Sequence, residues 1–182
     1  MREAEARNPG PWGNHSRVTA KCAEAIAAAC GDIQPEKAYV LGLLHDIGRR
    51  FGVKHLAHVY DGYVYMLELG YAQVARICLT HSFSTHQLKD FIGHFDVTPE
   101  QQQIMEHALS GLDYDDYDRL IQLCDAISLP DGAAAIEERM SDVKRRYGYY
   151  PQDKWDKNIE LKAYFSHKAN RSIEELTAGI KP

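Results

Sequence analysis

The sequence lacks several features that would place a chain of this size in other classes of protein. Its four cysteines are far apart and never form a Cys-x-x-Cys pair, which argues against a disulfide framework or a structural zinc site. No run of about eighteen apolar residues occurs, so we expect no membrane span, and residues 1–13 lack the apolar segment of a secretion signal. These absences predict a cytoplasmic protein in a reducing compartment.

Two further absences limit the partners and the fold. The net charge is only -5 over 182 residues, which argues against a nucleic-acid coat or a polybasic membrane surface. A basic groove with interleaved aromatic residues is also missing, so we expect no nucleic-acid substrate. No window alternates apolar and polar residues for long enough to indicate a strand. The sequence therefore predicts an all-α fold.

Apolar residues recur at helical spacing along most of the chain. Residues 1–13 are polar and then rich in proline and glycine, so we expect a flexible lead-in. The clearest patterns lie in residues 14–130, and residues 131–182 continue as more polar helices that we expect to pack on the same domain. The predicted helices cover residues 14–30, 35–47, 56–69, 74–81, 87–92, 98–109, 117–127, 133–147 and 154–176.

Four of the predicted helices carry a histidine or an aspartate on or beside the apolar face. Such side chains are costly to bury unless a cation or strong hydrogen-bond donors meet them. Each one alone is more often structural, as a satisfied core histidine or a helix-terminal aspartate. Such side chains on four helices together indicate a shared metal. A mixed nitrogen and oxygen ligand set suits Mn, Fe, Ni, Co or Zn better than Ca. The residues are His15, the pair His45-Asp46, His81 and Asp125.

This ordered set resembles the signature of the HD superfamily of metal-dependent phosphohydrolases, in which a histidine, a His-Asp pair and a distant aspartate follow one another. The matching segments are His15 in Asn-His-Ser-Arg-Val, His45-Asp46 in Leu-Leu-His-Asp-Ile-Gly, and Asp125 in Leu-Cys-Asp-Ala-Ile. The similarity covers residues 14 to 130. It implies a compact helical bundle, an enzyme, and a cofactor of one or two divalent transition metals, with Fe, Mn, Ni and Co as the candidates.

The resemblance also implies that two further histidines hold a second metal. His58 and His81 fit the order found in bacterial HD enzymes that cleave symmetrical dinucleoside polyphosphates. His55 lies one turn before His58 and is the rival candidate. Gly62 favours His58, because similar proteins carry a small residue four positions after this ligand.

By the same resemblance, the ligands divide between two metals that share one carboxylate. Asp46 would bridge the two ions and act as the central catalytic residue. The other ligands would be His15, His45 and Asp125 on one metal, and His58 and His81 on the other. Two cations can lower the pKa of water and stabilise charge on the attacking and leaving oxygens, so no protein nucleophile is needed.

Basic residues near the proposed ligands are candidates for phosphate binding. Arg49 directly follows the motif, where similar polyphosphate hydrolases often carry a basic residue. Its guanidinium can bind phosphate oxygens in a fork, and we assign it a role in catalysis and substrate binding. A solvated charge at a helix end explains Arg49 equally well. The further candidates for substrate binding are Arg17, Arg50 and Lys54.

The sequence thus favours hydrolysis of a phosphoester or phosphoanhydride in a small phosphorylated molecule, above all a nucleotide. Two alternatives stay open: a di-iron oxygenase with the same ligand order, and a non-catalytic sensor domain that keeps the metal for structure. A cyclic-dinucleotide phosphodiesterase is disfavoured, because residues 61–63 echo that motif without its His-His-Glu. The aromatic stretch 147–151 would cover the pocket or pack a homodimer, and the sequence does not choose between these roles.

Overall fold

The computed structural model describes residues 1–182, and nearly all of its regular structure is helical. The helices are α1 (Arg2–Arg7), α2 (Trp12–Cys30), α3 (Pro35–Leu44), α4 (Ala57–Glu68), α5 (Ala72–Thr80), α6 (Pro99–Ser110), α7 (Asp116–Ile127), α8 (Ile136–Tyr147), α9 (Gln152–Lys168) and α10 (Ile173–Thr177). Short 3-10 helices cover Ile47–Phe51 and Leu88–Asp90. The predicted all-α class is confirmed.

The only strands form a small hairpin after α7. Strands β1 (Ser128–Leu129) and β2 (Gly132–Ala133) pair antiparallel. The sequence gives no sign of them, because a ladder of two residues is too short for an alternating pattern. No helix combines the length and apolarity that a membrane crossing requires.

The main core forms where α2 packs against α3, α7 and the C-terminal helices. Val18 and Ile26 of α2, Leu41 of α3, Ile121 of α7 and Phe165 of α9 are all buried in it. Full burial of a large apolar side chain stabilises a fold by about 1.5–3 kcal/mol. A smaller second cluster lies between α4, α5 and α6. These clusters hold the helices that carry the candidate ligands.

A buried aspartate ties α7 to α5. Asp118 is fully buried and accepts hydrogen bonds from Arg76 Nη2 at 2.6 Å and from Thr80 Oγ1 at 2.8 Å. Asp118 also completes a capping box with Asp115 at the start of α7, which satisfies backbone donors that a helix end leaves free. The start of α7 is therefore fixed against the helix that leads to His81.

Residues 1–13 differ from the flexible lead-in that their composition predicts. Arg2–Arg7 form α1, and the side chain of Trp12 is buried at the start of α2. Arg17 of α2 donates to both carboxylate oxygens of Glu5, at 2.7 and 2.6 Å, and so joins α1 to α2. The proline and glycine mark only the turn between these helices.

The predicted helix over 154–176 is also interrupted. Asn170 has a φ of 50°, in the left-handed region that asparagine tolerates better than most residues. Ser172 then starts α10 with a capping box to Glu175. The chain can therefore reverse between α9 and α10, which an apolar pattern alone does not reveal.

Candidate metal centre

The structure brings all six predicted metal ligands together beside one cavity. They come from different elements: His15 in α2, His45 and Asp46 after α3, His58 in α4, His81 after α5, and Asp125 in α7. Two sets of three have ligand atoms within 4.8 Å of one another, namely His15, His45 and Asp125, and His45, Asp46 and His81. The sequence prediction of a shared site thus corresponds to one compact group.

The two carboxylates each face a different pair of imidazoles. Asp125 Oδ1 lies 2.9 Å from His15 Nε2 and 3.6 Å from His45 Nε2. Asp46 Oδ1 lies 3.0 Å from His58 Nε2 and 3.6 Å from His81 Nε2. His45 Nε2 also lies 4.0 Å from Asp46 Oδ2, so the two pairs adjoin, and the division between two metals stays a prediction.

Three histidines are held in the same tautomer by the backbone. In His45, His58 and His81, Nδ1 donates to the carbonyl oxygen three residues earlier, at 2.7 Å for His45 and 2.8 Å for His81. In a neutral ring, such a bond leaves the lone pair on Nε2, which is the atom that lies near the carboxylates. The backbone therefore prepares each ring to bind a cation.

A buried nitrogen without a partner shows that these residues fit a metal. His45 is 1% exposed, and its Nε2 has no hydrogen-bond partner. A buried polar atom left unpaired costs about 1–3 kcal/mol. A divalent transition metal would satisfy this nitrogen together with the neighbouring carboxylates, because such ions accept mixed imidazole and carboxylate ligands.

The protonation states suit metal ligands. Burial alone would raise the pKa of Asp46, but Arg49 and His58 hold it well below the usual value. Burial likewise opposes the effect of His15 and His45 on Asp125, whose pKa is also well below the usual value. Burial lowers the pKa of His81 to about 3. Both carboxylates are thus ionised and the His81 ring is neutral near pH 7.

Two glycines allow the backbones that carry the ligands to approach closely. A Cβ at Gly48 would lie 1.9 Å from the carbonyl oxygen of His58 and 2.5 Å from the Gly62 nitrogen. The 3-10 helix after Asp46 therefore packs backbone to backbone on α4. A Cβ at Gly42 would lie 2.9 Å from Cα of Ala20, so α3 approaches α2 in the same way.

Arg49 and Lys54, two of the predicted phosphate ligands, line the cavity. Arg49 Nε donates to Asp46 Oδ2 at 2.5 Å, and Arg49 Nη2 lies 3.4 Å from His58 Nε2. Lys54 Nζ pairs with Asp61 Oδ2 at 2.5 Å. The Arg49 guanidinium therefore lies beside two proposed ligands, whereas the Lys54 ammonium is paired with Asp61.

The structure does not bring the other two basic candidates, Arg17 and Arg50, to the cavity. Arg17 lies two residues after His15, roughly 200° around the helix, and so points to the opposite side and pairs with Glu5. The Arg50 guanidinium stacks 4.3 Å from the Tyr65 ring centroid and donates to the Tyr65 hydroxyl. Nearness in sequence to a predicted metal ligand therefore does not identify the basic residues that line the cavity.

His55, the rival to His58, takes a different position. Its ring packs against the ring of His94, with 4.7 Å between their centroids. Its carbonyl oxygen accepts the Nδ1 hydrogen of His58. His55 thus lines the cavity and orients His58, whereas the His58 ring is the one that reaches Asp46.

The C-terminal helices contribute cavity residues that sequence reasoning missed. Polar helices such as α8 and α9 carry no periodic signal that separates a cavity lysine from a surface lysine. The aromatic stretch gave the one hint, since Tyr147 and Tyr150 do line the cavity. The charged and amide residues not anticipated there are Arg139, Asp142, Arg146, Lys154 and Asn158.

An all-α fold that collects histidines and aspartates from several helices beside one cavity defines a helical metal-binding domain. The family model described as HD domain matches residues 12–129, well over half of the chain, and the chain belongs to this family. Members typically bind divalent metals and act as metal-dependent hydrolases. No curated protein and no solved structure shows significant similarity to the chain. Helices α8 to α10 lie outside the matched region.

Proposed function

We propose that the chain hydrolyses a phosphoester or phosphoanhydride bond in a nucleotide or a similarly small phosphorylated molecule. One observation carries this proposal: the metal-ligand cluster borders a cavity that is also lined by cationic side chains. These are Arg49, Lys54, Arg139, Arg146 and Lys154. Such a lining suits an anionic substrate, because cations around a cleft concentrate and orient anions.

The size and lining of the cavity support a substrate of nucleotide size. Its volume is about 590 Å³, within the range of roughly 300–1,000 Å³ typical of small-molecule sites. Phe91, Tyr147 and Tyr150 add aromatic surface to its wall. In this proposal they contact the base or another apolar part of the substrate, while the cations contact phosphate oxygens.

The residues of the chain divide the catalytic work. Divalent cations held by the cluster would lower the pKa of water and polarise the phosphoryl group. Ionised Asp46 and Asp125 balance the charge at the centre, and Arg49 binds a phosphoryl oxygen. Burial raises the pKa of the Cys78 thiol, so this neighbouring side chain stays protonated and is a poor nucleophile. Water is the nucleophile in this proposal.

The experiment is a phosphate-release screen on nucleotides with metal-depleted protein reconstituted separately with Mn, Fe, Co and Ni. We expect release that depends on metal, proceeds without oxygen, and falls at least about a thousandfold in Asp46→Asn. His107→Ala serves as the matched control, since His107 is exposed on α6. Product formation only with iron and oxygen would overturn the proposal in favour of the oxygenase.

A further inference from the structure

One cation of the cavity, Lys154 of α9, has no anionic partner. Its Nζ donates to two backbone carbonyl oxygens, that of Ser82 at 2.8 Å and that of Asp90 at 3.1 Å. No carboxylate lies within ion-pair distance of it, whereas Lys54 pairs directly with Asp61. Two of the three ammonium hydrogens are thus used, and the third donor is free for a ligand.

The surroundings make this free charge costly without an anion. Burial lowers the pKa of Lys154, and the more distant charges of Asp125 and Asp90 act in the opposite direction. A partly buried ammonium bound only to neutral carbonyls is poorly solvated, so its charged form is disfavoured until an anion binds beside it. Lys154 is also held beside the metal cluster, because Ser82 directly follows the ligand His81.

An unpartnered hydroxyl lines the same cavity and gives independent evidence for a ligand. Ser84 is 4% exposed, and its Oγ forms no hydrogen bond. It lies two residues after Ser82, whose carbonyl holds Lys154. A buried hydroxyl without a partner is costly unless a ligand takes its hydrogen bond. A phosphate oxygen can accept from both an ammonium and a hydroxyl.

Arg139 of α8 is a second cation that lines the cavity. Its Nη1 is buried without a hydrogen-bond partner and lies 4.0 Å from Asp142 Oδ2. Asp142 is shared with Arg145 at 3.0 Å and with Arg146 at 2.9 Å, so it does not neutralise Arg139 alone. Of the charged α8 side chains that line the cavity, Arg139 and Arg146 are cationic and only Asp142 is anionic.

We propose that Lys154 and Ser84 form a phosphate-binding subsite beside the metal cluster, and that Arg139 reinforces it. The subsite deepens the proposed hydrolase function, on which its role in substrate binding rests. Its main cations come from α8 and α9, beyond residues 12–129 that match the HD domain. In this proposal the C-terminal helices thus supply the cations that hold a phosphate group beside the metal centre.

The test measures binding of inorganic phosphate by calorimetry to metal-depleted protein, from which the chelator has been dialysed. We expect Lys154→Gln to weaken binding at least about tenfold, and Ser84→Ala about fivefold. Lys157→Gln is the matched control, because Lys157 lies on the same helix and pairs with Glu160 at 2.8 Å outside the cavity. The control should bind phosphate as the unaltered chain does.

Ser84→Ala separates ligand binding from a structural role. Its hydroxyl has no partner in the protein, so the substitution should leave the melting temperature unchanged or slightly raised while phosphate affinity falls. If Lys154→Gln does not fold, phosphate affinity is measured on Ser84→Ala and Arg139→Gln instead. Unchanged affinity in the folded variants would overturn the subsite.

Kinetics with the reconstituted enzyme show whether the bound phosphate belongs to the substrate. Lys154→Gln should raise KM at least about tenfold and change kcat by less than about threefold. Loss of kcat alone would contradict a binding role. Absence of turnover with every metal would refute the proposed hydrolase, yet phosphate binding would still support the subsite. Turnover without phosphate binding would refute the subsite and leave the hydrolase standing.

Discussion

The guanidinium of Arg49 bonds to the carboxylate of Asp46, with 2.5 Å between Nε and Oδ2. The same guanidinium lies 3.4 Å from His58 Nε2. Asp46 and His58 are two of the ligands proposed for the second metal. Arg49 and a cation at that position therefore compete for the same acceptor atoms, and Arg49 has to turn toward substrate when a metal binds there.

Arg49→Gln is expected to separate the two roles of Arg49, which are competition with the second metal and binding of substrate phosphate. Removing the competing cation should tighten binding of the second Mn²⁺ by about tenfold, measured by calorimetry, since hydrogen bonds to charged groups contribute about 1.5–3 kcal/mol. The same variant should raise KM for a phosphorylated substrate, because one phosphate ligand is lost. Arg17→Gln, which removes the ion pair with Glu5 and a hydrogen bond to Asn14, should change neither value. Weaker metal binding in Arg49→Gln would contradict the competition.

Gly48→Ala is expected to damage both the fold and the site. The added Cβ would lie 1.9 Å from the His58 carbonyl oxygen, so the 3-10 helix and α4 have to separate. Overpacking of this kind should lower the free energy of unfolding by about 3 kcal/mol, which urea unfolding of the metal-free protein would measure. Gly111→Ala is the control, because a Cβ there has nothing within 4 Å. Equal stability of the two variants would refute the close packing.

The stability of the metal-free protein should depend on pH through His81. Its folded pKa of about 3 lies below the ordinary value of 6.5, mainly because of burial. The unfolded chain therefore binds a proton at His81 between these values and the folded chain does not. Stability attributable to His81 is present above pH 6.5 and is lost as pH falls toward 3, by up to about 1.4 kcal/mol per pH unit.

Urea unfolding between pH 6 and pH 4.5 measures this slope. His81→Gln should reduce the slope by up to about 1.4 kcal/mol per pH unit. His107→Gln should leave it as it is, because His107 is exposed on α6. An unchanged slope in His81→Gln would show that the folded protein protonates His81 as readily as the unfolded chain does.

The sequence predicts the helices well, and it predicts which histidines and aspartates meet beside the cavity, because both leave a local signal. His15, His81 and Asp125 lie on or beside the apolar faces of their helices, so the amphipathic pattern predicts that their side chains face the core. The His45-Asp46 pair ends an apolar run in the same way. Their arrangement about one cavity then follows from the packing of α2, α3, α5 and α7.

The cations that line the cavity leave no such signal. Arg17 is near His15 in sequence but faces the other side of α2, whereas Lys154 is 73 residues from His81 and lies beside it only because α9 packs there. Arg50 binds an aromatic ring that the sequence places fifteen residues away. Only tertiary packing decides which cations line the cavity.

The most direct test of the metal centre is elemental analysis of protein purified anaerobically without chelators or a His-tag. We expect two metals per chain, falling to one in His58→Ala and in His81→Ala, and staying at two in His107→Ala. One metal that survives both substitutions but is lost in Asp46→Ala would remove His58 and His81 from the site. No metal after reconstitution with Mn, Fe, Co or Ni would contradict the whole account of the centre.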